Sequence, residues 1–236
     1  MQQTVQVGSQ SYVPLLETRI DAYHLLRQLF IQEPTRELLQ SLVKEDSMAT
    51  FPFQAENAMI AEGITKVRSF MQEHDLLKEA TFEHLHWDYT RMFVGPYRLP
   101  APPWESAYMS QEGLLFQKEM LDVRQAYLRY ELLPEHYGHE ADDHLGLELD
   151  FMYQLSVLAW QANEAGDQQK LVRLLHDLQS FIHEHLLKWV PHFCEKMYKN
   201  AETQFYQGIA LLLHGFLILD TEALQQLLAA TERRSN

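Results

Sequence analysis

The sequence predicts an all-α fold, a single-domain helical bundle of about nine helices spanning residues 1–236. Three observations carry this. Apolar residues recur at spacings of three and four through almost the whole chain. No alternating run is long enough to read as a strand. Hydrophobic residues make up 46% of the 236 residues, enough for one core without disulfide or metal staples.

The elements follow in order. From Pro14, Leu16, Ile20, Tyr23, Leu26 and Phe30 form one helical stripe. A second helix is expected after Pro34, and a third through AENAMIAEGITKVRSFMQE at 55–73. A fourth, from about Leu76 to Val94, carries Phe82, Leu85, Tyr89, Met92 and Phe93, and Gly95-Pro96 closes it. A Pro-rich loop covers 95–111, in which Pro100, Pro102 and Pro103 stiffen the backbone ahead of Trp104. A long helix ending at Pro134 leads into an acidic loop at 134–144. Beyond it, LGLELDFMYQLSVLAWQAN is apolar on most sides and therefore central. Helices at about 168–188, 191–198 and 202–220 follow, with a last one starting at Thr221.

Composition narrows the function. Nineteen Lys and Arg against 33 Asp and Glu give a net charge of −14, which disfavours nucleic acid and suits a basic partner. The one cysteine, Cys194, excludes an internal disulfide and reads as a packed core residue. The N-terminus has neither a basic nor an apolar region of a signal peptide, and GIALLLHGFLIL at 208–219 is too short to span a bilayer, so a cytoplasmic location is expected. Phosphate-binding glycine loops and a GxSxG elbow are absent.

The cluster HEADDH, residues 139–144, is rich in metal-ligand types. Its histidines stand five apart, however, so the HExxH geometry fails, and the HEH at 183–185 splays likewise on a helix. Asp143 can instead cap the helix that follows, and Glu140 can reach His144. A loop stiffened by prolines, with an aromatic tip and an apolar helix end before it, suits an apolar peptide segment.

Three segments together, YTRMFVGP (89–96), PPWES (102–106) and EADDH (140–144) running into LGLELDFM, resemble the TorD/DmsD family of maturation chaperones. FIHEHLLKWVPHF is similar to the family's C-terminal region. Met92 stands where the family has leucine, and Ala141 where its acidic motif has proline. The resemblance implies an all-helical molecular chaperone, not an enzyme, that needs no cofactor. Such a protein binds the twin-arginine leader and apo form of a molybdenum oxidoreductase until its cofactor is inserted. It implies peptide-binding roles for Tyr89, Met92, Phe93, Pro103, Trp104, Glu140, Asp143 and His144, and is compatible with a monomer or a domain-swapped dimer. Three or four apolar anchors, less the cost of ordering a peptide, correspond to affinity on the order of micromolar, about −8 kcal/mol. Two alternatives stay open: a metal-dependent hydrolase using His139, Glu140, Asp143 and His144, and an acidic helical adaptor without a groove.

Overall fold

The computed structural model describes residues 13–96, 98–109, 118–132 and 140–235. Among these, eleven α-helical segments occur, two of them only four residues long, together with one π turn. The nine longer helices match the expected number, and the described residues contain no strand, only an isolated bridge between Trp104 and His144. His139, Pro134 and most of the acidic loop lie outside the described residues.

Helices α1 (Val13–Phe30), α2 (Arg36–Lys44), α3 (Ser47–Thr50), α4 (Ala58–Glu73) and α5 (Glu79–Phe93) make up the first part of the chain. Thr35 and Asn57 accept backbone N–H groups at the starts of α2 and α4, the role short polar side chains play at helix ends. Gly95, at φ +113, follows α5 in a conformation that favours glycine. The Pro-rich loop contains a short helix, α6 (Ser106–Met109), and α7 (Lys118–Arg129) follows. Then come α8 (Leu145–Glu164) and α9 (Gln168–Phe181), the π turn Ile182–Leu186, α10 (Leu187–Asn200) and α11 (Gln204–Ser235).

The C-terminal helices differ from expectation in two ways. Pro191 lies inside α10 instead of starting a helix. The wide turn before it, in which the Leu187 N–H bonds to the carbonyl of Ile182, adds one residue to the helical run and keeps the direction continuous. Nor does α11 break at Thr221. Asp220 is fully buried and paired across the core, and the Thr221 hydroxyl donates back to Leu217 O at 2.9 Å, so neither residue terminates the helix. This helix is long and apolar enough to cross a membrane by length and composition, but 61% of its apolar window is buried inside the fold.

Helix α11 is the axis of the bundle. It packs against α4, α9 and α10, while α8 lies between α1 and α9. At the α4–α11 crossing, Gly63 and Gly208 meet so closely that a Cβ on Gly208 would stand 2.5 Å from Gly63 O. At the other contact, Gly146 of α8 lies against the Ile31 backbone, where a Cβ would be 2.4 Å from its Cα.

Polar groups also join the helices. Arg19 of α1 forms a buried ion pair with Asp220 of α11, Tyr23 donates to the same carboxylate at 2.7 Å, and Arg19 reaches Ser156 of α8 at 3.3 Å. Asp88 of α5 accepts from the Glu202 and Thr203 amides and the Thr203 hydroxyl, and that hydroxyl in turn accepts the Tyr206 N–H at 3.3 Å, capping the start of α11. Cys194 is buried, as expected, and its burial pushes the thiol up.

Candidate functional site

Two motif loops are stitched together here. The Leu145 N–H donates to Pro103 O at 2.9 Å and the Glu105 N–H to Asp143 O at 3.0 Å, forming the Trp104–His144 bridge. The Trp104 indole N–H donates to Glu140 Oε1 at 2.9 Å, and the Trp104 and His144 rings meet edge-on with centroids 5.8 Å apart. Trp104 is half-buried and Glu140 exposed. An aromatic face and a carboxylate thus stand side by side at the surface, with the indole held by the same carboxylate.

Beneath this pair the other motif residues are structural supports. Asp143 is buried and accepts the Ser106 N–H at 2.9 Å, so it caps α6 and not α8. His144 takes the α8 cap: its Nδ1 accepts from the Gly146 N–H at 3.1 Å, which leaves the ring proton on Nε2. Burial lowers the His144 pKa to about 4, with Glu140 opposing the shift, so the ring is neutral at pH 7. Glu140 itself turns to Trp104, not to His144. Glu140, Asp143 and His144 therefore diverge, and among the described residues no group of three or more His, Cys, Asp or Glu side chains is placed to hold a metal ion.

Tyr89, Met92 and Phe93 do not line a surface groove. All three are buried: Phe93 packs against Phe30, Phe193 and Tyr206, and the Tyr89 hydroxyl donates to Phe30 O at 3.0 Å. Pro103 is buried as well. The physical reason is that Leu85, Tyr89, Met92 and Phe93 form the apolar stripe of α5, and the core takes that stripe. The opposite face leaves Trp87 64% and Val94 58% exposed.

Sequence reasoning missed a second layer. Glu105, inside PPWES, is buried and lies 2.9 Å from His185 Nδ1 on the π turn. Glu148 of α8 is buried and accepts the Trp189 indole N–H at 3.2 Å. Burial, then Glu105 and Asp143, hold the Glu148 carboxyl well above its ordinary value. The only sequence signal was a carboxylate in a helix apolar on most sides. Asp142 is buried and paired with Arg124, while its carbonyl accepts the Tyr127 hydroxyl at 2.9 Å. Beyond His185 a cleft of about 300 Å³ opens between α7, α9 and the π turn. Within its lining, Arg129 and the Tyr130 hydroxyl both reach Asp177.

With this geometry in hand, the comparisons with known proteins agree on one family. The family model described as nitrate reductase delta subunit matches residues 63–195, which include all three motif segments. The chain is 28% identical over 208 residues to the chaperone protein TorD of Vibrio atlanticus, covering 88% of this chain and 95% of that one. It is 28% identical over 192 residues to the Tat proofreading chaperone DmsD of Salmonella typhi, covering 80% and 81%. The matched region contains the loops that carry Trp104 and Glu140, and it exceeds half the chain: the protein belongs to the nitrate reductase delta subunit family, with the TorD and DmsD chaperones.

Proposed function

We propose that this protein is a cytoplasmic chaperone that binds the twin-arginine signal peptide and the apo form of a molybdenum-containing oxidoreductase. It acts by binding, not catalysis, and so holds its client back from export while the cofactor is inserted. The observation that carries this reading is the Trp104–Glu140 pair, an aromatic ring and an exposed carboxylate fixed together by one 2.9 Å hydrogen bond. A twin-arginine leader has a basic region followed by an apolar one. Glu140 offers the first a charge partner and Trp104 offers the second a flat apolar face. Asp143, His144 and Pro103 hold this pair from below, and Tyr89, Met92 and Phe93 hold the end of α5 against the core.

Calorimetric titration with a synthetic peptide, Arg-Arg followed by an apolar segment, tests the reading. Trp104→Ala is expected to weaken binding about tenfold, the scale of a partly exposed aromatic anchor. Glu140→Gln is expected to weaken it less and to flatten its salt dependence. If both variants bind as the parent does, the site is wrong. Binding that vanishes at high salt and ignores Trp104 would favour an acidic adaptor instead.

A further inference from the structure

The surface that begins at Trp104 and Glu140 does not end there. Ile31, just past α1, lies against Gly146 of α8 and is 39% exposed. Two residues on, Glu33 accepts the Thr90 hydroxyl at 2.7 Å and stands 3.9 Å from His86 Nδ1. Thr90 lies on the outer face of α5 between the exposed residues Trp87 and Val94, at the i, i+3, i+7 spacing of one helical stripe. The His86 and Trp87 rings meet with centroids 5.7 Å apart. The Tyr89 hydroxyl, one residue before Thr90, donates to Phe30 O at 3.0 Å and so ties α5 to the end of α1 beside Ile31.

We propose that the end of α1 and the outer face of α5 extend the peptide site, Glu33 taking a second cationic group and Trp87, Val94 and Ile31 seating the apolar segment that follows. This inference rests on the reading of Trp104 and Glu140 given above. The occupant is a basic-then-apolar peptide for two reasons. First, the strip carries two surface carboxylates, and among the described residues the ion pairs formed by Glu33 and Glu140 include no Lys or Arg. Second, the exposed apolar side chains of Ile31, Trp87 and Val94 lie on the two elements that Glu33 joins through Thr90, and Ile31 abuts Gly146, whose N–H donates to the His144 ring that meets Trp104. A single carboxylate would recognise one positive charge; two, set apart, suit a pair of adjacent arginines. Ile31 and Glu33 lie outside residues 63–195, which the family model matches.

The test is calorimetry on the full chain with the Arg-Arg peptide and its Gln-Gln counterpart, with light scattering run alongside. Glu33→Gln is expected to weaken the Arg-Arg peptide about three- to fivefold and leave the Gln-Gln peptide unchanged. Trp87→Ala is expected to weaken both peptides about tenfold, since it removes apolar contact and no charge. Trp87 is exposed and Glu33 half-buried, and unchanged thermal unfolding of the variants verifies that the fold is retained. If Glu33→Gln and Trp87→Ala bind both peptides as the parent does while Trp104→Ala and Glu140→Gln bind weakly, the extension is overturned and the Trp104 site stands. If all four variants bind normally, both fall. If Trp87→Ala shifts the oligomeric state without changing peptide affinity, the outer face of α5 covers a second copy of the chain and the extension is overturned.

Discussion

At the scale of single residues, His144 shows how a motif histidine can be a support. Its Nδ1 accepts a backbone N–H and its ring is buried, so the folded protein refuses a proton that the unfolded chain accepts. The folded pKa, about 4, lies below the ordinary histidine value of 6.5. Stability from this group is therefore fully present above pH 6.5 and is lost as pH falls towards 4. At 1.36 kcal/mol per unit the effect is up to about 3 kcal/mol. His144→Asn keeps a side-chain acceptor for the cap and removes the titration. Urea unfolding of this variant should show a shallower loss of stability than the parent between pH 6.5 and 4.5; equal slopes would contradict the assignment. Glu148 works in the opposite direction, since its raised pKa makes its contribution largest at low pH and smaller as pH rises. That Trp104 and the 140–144 turn lie on loops was legible in the sequence, because prolines and an acidic cluster flag loops, and the family resemblance implied that the two act together. The division of labour among Asp143, His144 and Glu140 was not. Which donor each side chain meets depends on how two loops more than thirty residues apart cross, and that crossing is written in backbone hydrogen bonds.

At the scale of elements, helix periodicity located nearly every segment and left two questions it cannot answer. It does not say whether the apolar stripe of a helix is inside, so Tyr89, Met92 and Phe93 read equally well as groove or core until packing against Phe30 and Phe193 decides. Nor does it say whether an Asp-Thr pair ends a helix. In α11 it does not, because Asp220 has a cationic partner in the core. The α4–α11 contact is a sharper test of element packing. Alanine is the better helix former by about 1 kcal/mol, so Gly208→Ala would stabilise an isolated helix. Here its Cβ would meet Gly63 O at 2.5 Å and Val67 Cγ2 at 2.6 Å, one of them backbone that cannot step aside. Overpacking of this kind costs about 1–3 kcal/mol, so the variant should melt at a lower temperature than the parent in a thermal scan. An unchanged or higher Tm would mean the two helices can separate without loss.

At the scale of the whole molecule, Arg19 and Asp220 tie the first helix to the last across a dry interior. No spacing in the sequence announces a partner at that separation, and Arg19, set between Glu17 and Asp21 in α1, carries no sign of burial. Removing one member leaves the other charge buried alone, a loss of about 3–5 kcal/mol. Arg19→Met is therefore expected to lower unfolding free energy by that amount, and Arg19→Met with Asp220→Leu to recover most of it, as measured by urea denaturation. If the double variant is no better than the single one, the pair contributes through packing and not charge.

The π turn at 182–186 has a consequence for how this chain lines up with its relatives. A helix that carries one residue in surplus keeps both flanks in phase by bulging, and here the bulge is what turns His185 towards Glu105 while Trp189 still faces Glu148. Excise a single position there and the two flanks would rejoin as ordinary helix, with Trp189 undisturbed but the imidazole gone from beneath the PPWES loop. A one-residue gap in an alignment at this point would thus mark the loss of that underpinning, not a slip in the fold.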